Sequence, residues 1–104
     1  MSRRAAKVDG NQAAIVSALR AAGCSVQSLA EVGAGCPDIL VGWGGPDGYV
    51  AVMEIKDPTV PKLDQQFTPR QKQWHSLWLG PAYLVRSADE ALAIVAGYRQ
   101  RRKG

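Results

Sequence analysis

Two apolar runs of strand length, Pro37 to Gly42 and Tyr49 to Lys56, flank the segment Trp43-Gly44-Gly45-Pro46-Asp47-Gly48. No other feature constrains the chain so tightly. A short connection dense in glycine and proline joins antiparallel strands, so the centre of the sequence reads as a β-hairpin. A lone hairpin is marginal in water and needs further strands or a helix against it. The chain is 104 residues long, 46% hydrophobic and 21% charged. That suffices for one domain over 1–104 with a real core, and it excludes a disordered or fibrous chain.

The flanking sequence supplies the cover. Asp9 and Gln12 have capping-box spacing, and Ile15, Val16, Leu19 and Ala22 follow on one face of a helix that Gly23 ends. Ser25 to Val32 reads as a first strand, broken by Gly33-Ala34-Gly35. Asp57 to Phe67, with Pro58 and Pro61, reads as a loop. Thr68-Pro69-Arg70-Gln71 opens a second helix, with Thr as N-cap and Pro in the first turn. Trp74, Leu77 and Trp78 are expected to face the core, and Gly80-Pro81 stops the helix. Ala82 to Arg86 is a fourth strand. Ser87 and Glu90 cap a last helix that turns Leu92, Val95 and Tyr98 inward. The order αβββαβα describes an α/β domain, a mixed four-stranded sheet flanked by helices, with the last strand reached by a crossover helix.

Charge is unevenly spread. The chain carries 13 Lys and Arg against 9 Asp and Glu, a net +4. Residues 1–7 hold Arg3, Arg4 and Lys7, and residues 99–104 hold Arg99, Arg101, Arg102 and Lys103, with no acid in either tail. The stretch 8–98 is left with six bases against nine acids. Cationic ends on an acidic body suggest flexible arms that meet a polyanion. The start has no apolar run of signal-peptide type, and no apolar stretch approaches the roughly 20 residues of a membrane helix. Two cysteines, Cys24 and Cys36, and one histidine fit neither a disulfide scaffold nor a zinc site. The expectation is a reduced, cytoplasmic protein.

The hairpin also carries the chemistry. Centred near residue 46, it sets Gly42 opposite Val50 and Asp38 opposite Glu54. Opposed residues in an antiparallel pair share a face, with Cβ atoms ~5 Å apart, and Lys56 projects from that face too. Two carboxylates at ~5 Å repel by ~3 kcal/mol at an effective dielectric of ~20. A shared proton would relieve this, as would a divalent cation. An oxygen-only set of Asp38, Glu54 and the Ile55 carbonyl favours Mg2+ or Mn2+. Lys56 then stands where it can orient a water or offset charge building on phosphorus. The alternative is an ordinary Glu–Lys ion pair on the sheet surface, with Asp38 as a strand cap.

Other candidates are weaker. His75 lies among Trp74, Leu77 and Trp78 and reads as a partly buried, satisfied side chain. Trp43 at the hairpin turn is poorly placed for a core and reads as a base-stacking platform, a subunit contact or a cover for the sheet end. Cys36 has no base near it in the pattern and is no nucleophile. Lys62 and Arg70 flank the loop before the second helix and read as phosphate contacts or a solvated face.

At these residues the chain resembles a known family. Pro37-Asp38 followed by Glu54-Ile55-Lys56 resembles the PD-(D/E)XK nuclease signature. The wider run is similar to the small phage and bacterial VRR-NUC nucleases. It comprises Val32-Gly33, Gly35-Cys36-Pro37-Asp38-Ile39-Leu40-Val41-Gly42, Glu54-Ile55-Lys56-Asp57, Leu63, and Phe67-Thr68-Pro69-Arg70-Gln71 with Trp74-His75 and Trp78. The opening Asp9-Gly10-Asn11-Gln12 also fits, so the likeness spans roughly residues 8–96. It implies a restriction-endonuclease-like core and a metal-dependent DNA endonuclease. Asp38 and Glu54 would be the metal-binding acids, Lys56 the catalytic lysine, and Gln71 the polar residue of the following helix that supports the site. Stand-alone members are associated with homodimers that cut branched DNA such as Holliday junctions. A non-catalytic DNA-binding module of this fold, or a nuclease acting on flaps, plain duplex or RNA, stays open beside that reading. The first helix departs from the pattern: relatives often carry an acid there, and this chain has Asn11-Gln12. One metal per site, or a second site of low affinity, is therefore expected, with Asn11 or Gln12 available to a metal-bound water.

Overall fold

The central hairpin forms with the expected register. In the computed structural model, which describes residues 10–59 and 66–103 without the side chains of 101–103, β2 (Ile39–Trp43) pairs antiparallel with β3 (Tyr49–Ile55). Gly42 stands opposite Val50. Pro37 has no amide to give and stays outside the ladder. Trp43 joins it instead, opposite Tyr49.

β1 (Ser25–Ser28) adds antiparallel to β2, and β4 (Ala82–Val85) adds parallel to β3, giving a four-stranded mixed sheet in the order β1-β2-β3-β4. The first strand is shorter than its sequence suggests. The Ser28 hydroxyl accepts from the Ala30 amide and the Val32 amide donates to the Leu29 carbonyl, so the chain turns after Ser28 rather than running on to Val32.

Alternation along the strands sorts the sheet into two faces. Ile39, Val41, Met53, Ile55 and Val85, all fully buried, face α1 (Gln12–Ala21) and α3 (Ala88–Lys103). Ile15 and Leu19 of α1 and Ala91 and Val95 of α3 complete that core. Gly23 ends α1 with φ +91, and the Cys24 amide reaches back to the Leu19 carbonyl. The left-handed turn there is the one glycine adopts at little cost. Ser87 accepts from the Glu90 amide at the start of α3, as its spacing suggested, while the Glu90 carboxylate accepts from the Arg86 amide. Helix α3 runs through Lys103, so the C-terminal basic cluster is a last helical turn and not a flexible arm. The N-terminal basic tail, the Asp9 cap, Lys62 and Leu63 lie outside the described residues.

Three local expectations change. Asn11, not Asp9, precedes the first helical residue, and its side chain makes no cap bond. Its Nδ2 donates instead to the carbonyls of Lys56 and Arg86, at 3.2 and 2.9 Å. One amide thereby ties α1 to the ends of β3 and β4. Asn11→Ala is expected to lower stability by about 1–3 kcal/mol, since each bond contributes about 0.5–1.5 kcal/mol. Urea unfolding followed by circular dichroism measures it. Trp43 is 5% exposed, packed against Tyr49 and edge-on to Tyr98. It belongs to the core as the cover of the sheet end, and offers no stacking platform.

The third change concerns α2 (Pro69–Leu77). Its N-terminus forms as expected: Thr68 Oγ1 accepts from the Gln71 amide, and Gln71 Oε1 accepts from the Thr68 amide. Its apolar residues do not enter the core. No α2 residue is buried, and Leu77 is 72% exposed. Trp74 and Trp78 stack on each other, with ring centroids 4.8 Å apart. The helix lies on the face opposite α1 and α3, where Glu54 and Lys56 project.

Candidate active site

Three segments converge at the end of β3. The Asp38 amide donates to the Met53 carbonyl, one residue off the ladder in which Ile39 stands opposite Met53, so Asp38 sits just beyond the paired end of β2. Asp38 Oδ2 accepts from the Ile55 amide at 2.6 Å. A strand residue directs its amide and its carbonyl to the same neighbour, so the Ile55 carbonyl also faces the Asp38 side.

Glu54 and Lys56 leave β3 on the α2 face and are 2% and 7% exposed. Surface ion pairs are not buried to this degree, which removes the reading of a solvated Glu–Lys pair on the sheet. Lys56 Nζ lies 3.8 Å from Glu54 Oε2. Gln71 links the two: its Oε1 accepts from Lys56 Nζ at 3.1 Å and its Nε2 donates to Glu54 Oε2 at 3.0 Å. The same Oε1 accepts from the Thr68 amide at 2.9 Å. Gln71 thus both caps its helix and braces the site, because a carbonyl oxygen has two lone pairs.

Both carboxylates reach the neighbouring thiol electrostatically. Burial pushes Cys36 above the ordinary thiol range, and the charges of Glu54 and then Asp38 push it further. The thiol is thus held protonated, in keeping with a non-nucleophilic cysteine. Asp38, Glu54, Lys56 and the Ile55 backbone, singled out by spacing, and Gln71, implied by the resemblance, fall together.

No group of three or more His, Cys, Asp or Glu side chains is placed to hold a metal among the described residues. Two carboxylates and a carbonyl do not make a closed cage of zinc type. They suit a hard cation that keeps several waters. At the start of α1, Asn11 Oδ1 and Gln12 Oε1 are buried and accept no hydrogen bond from the protein. Neither of these two side chains carries charge.

His75 does not complete the site. It stacks on Phe67, with ring centroids 4.3 Å apart, and its Nε2 is buried with no hydrogen-bond partner. Burial holds its pKa below the ordinary histidine value. The expected satisfied histidine is thus an unsatisfied one. Sequence reasoning passed over Gly35, whose place against α2 is described below. Its signal was a glycine directly before the Cys36-Pro37-Asp38 run. No described helix is long and apolar enough to cross a membrane.

No family model matches the chain, and no curated protein matches it. Among solved structures it is similar to one described as a VRR_NUC domain, with TM-score 0.61 and 24% identity, covering 84% of this chain and 91% of that one. The chain therefore shares the fold of that VRR_NUC domain, a mixed four-stranded sheet flanked by helices.

Proposed function

We propose that this chain is a Mg2+- or Mn2+-dependent endonuclease that hydrolyses phosphodiester bonds in DNA, preferentially branched DNA, as a homodimer. The observation that carries the reading is the convergence of Asp38, Glu54 and Lys56 on one sheet end, braced by Gln71, within a VRR_NUC fold. Asp38, Glu54 and the Ile55 carbonyl would hold the cation, which supplies Lewis acidity at the scissile phosphate. Lys56 presents an ammonium group at the rim of the same cluster, where it orients the attacking water and offsets negative charge as the phosphorus centre gains an oxygen. Gln71 fixes that ammonium relative to Glu54, so no reorganisation is needed when charge develops. One chain of this size offers little surface for a whole junction. A twofold dimer presents two such sites to two strands.

A substrate panel tests the proposal. Four-way junctions, flaps, linear duplex and RNA are incubated at fixed salt with and without Mg2+, since affinities depend steeply on salt. Mg2+-dependent cleavage of the junction in preference to the others is expected. Binding of DNA with no cleavage of any substrate would instead make the chain a non-catalytic binding module.

A further inference from the structure

Helix α2 is held to the rest of the protein in an unusual way. None of its residues is buried, so the burial that normally fixes a helix is missing. Yet its first turn must be placed closely, because Gln71 meets both Glu54 and Lys56 there. The loop before β2 supplies a second contact. Gly33, Ala34 and Gly35 have successive φ values of +73, +57 and +83, and this left-handed run turns the Cα of Gly35 against α2. A Cβ at Gly35 would overlap the Arg70 carbonyl and lie 2.9 Å from the Gln71 amide nitrogen. Real Cβ atoms do not approach backbone so closely, and backbone cannot rotate away as a side-chain tip can. At Gly33 a Cβ would meet nothing within 4 Å.

We propose that Gly35 is a positioning residue for the site: its bare Cα is the seat of the α2 first turn, and that seating holds the Gln71 amide on Glu54 and Lys56. The role in catalysis rests on the nuclease reading above, while the seating itself does not. Gly35 lies three residues before Asp38 in the chain, so one loop sets both the first carboxylate and the helix that braces the second. A side chain here displaces the helix and separates Gln71 from its two partners, with the sheet and its core left in place.

Gly33→Ala and Gly35→Ala test this as a matched pair. Both put an L side chain at positive φ and carry the same kind of backbone strain, but only the second strikes α2. In 15N-labelled protein, the Gln71 side-chain amide is expected to keep its shift in Gly33→Ala and to move to the position of a solvated glutamine in Gly35→Ala. Mg2+-dependent cleavage should fall about 10–100-fold in Gly35→Ala, the usual cost of losing a supporting contact, and change less than about twofold in Gly33→Ala. Adding Gly35→Ala to Gln71→Ala should cost nothing more, since both act through one contact. Equal behaviour of the two glycine variants, or losses that multiply in the double variant, would overturn the proposal. If Gly35→Ala does not fold, nuclear Overhauser contacts between the Gly35 Hα protons and the Gln71 backbone amide in the parent protein decide: present they support the seat, absent they refute it. Parent protein without cleavage sinks the nuclease reading and leaves the amide-shift result standing.

Discussion

Lys56→Ala is expected to slow Mg2+-dependent cleavage by on the order of 10²–10³-fold, the size of loss seen when one preorganised charge-stabilising donor is removed. DNA affinity should change by less than about threefold. The asymmetry follows from where the ammonium sits. Lys56 is 7% exposed, with its Nζ committed to Gln71 and beside Glu54. A buried ammonium adds little to the long-range attraction of a polyanion, to which an exposed base such as Arg70 would contribute more. Removing Lys56 also leaves the Glu54 carboxylate in a buried place without its cation, and breaking a buried pair costs about 3–5 kcal/mol. Rates are therefore compared at a temperature where circular dichroism shows both proteins folded. Single-turnover cleavage and filter binding on the same junction separate the two effects. Equal losses of cleavage and binding would make Lys56 an affinity residue.

Asp38 should divide into two tasks under two substitutions. Its Oδ2 accepts from the Ile55 amide at 2.6 Å, which is a structural duty. Its charge beside Glu54 is the proposed metal-binding duty. Asp38→Asn retains a carbonyl oxygen for Ile55 but removes the charge. Stability should hold, while Mn2+ affinity falls on the order of 100-fold, since hard-cation affinity tracks ligand charge. Asp38→Ala removes both, and a buried amide left without an acceptor costs a further ~1–3 kcal/mol. Calorimetric Mn2+ titration and urea unfolding of the two variants check the split. Equal loss of stability in both would mean that the charge, rather than the hydrogen bond, holds the strand end.

What the sequence showed plainly was local or periodic. The Gly/Pro-rich turn fixed the β2–β3 register from Trp43 opposite Tyr49 to Ile39 opposite Met53, and that register brings Asp38 to the end of β3, where it meets the Ile55 amide. Thr68, Pro69 and Gln71 mark the start of α2 through contacts within one turn. What stayed hidden depends on distant partners. A stripe of Trp74, Leu77 and Trp78 reads alike whether a helix meets a core or lies on a polar site, so the exposure of Leu77 and Trp78 was not visible. Trp43 became core because Tyr98, from the last helix, closes over it. The bonds of the Asn11 amide to two carbonyls reach across 45 and 75 residues of sequence. The early end of β1 turned on one serine hydroxyl.

Manganese binding followed by electron paramagnetic resonance probes the shared cation site without requiring a substrate. Free Mn2+ gives a sharp six-line spectrum that fades on binding, so the number of ions held per chain can be counted. One ion per chain is expected for the parent protein, with that binding lost in both Asp38→Asn and Glu54→Gln. Undiminished binding in the two variants, or a parent that takes up no Mn2+ at millimolar concentration, would contradict the claim that these carboxylates hold one hard ion between them.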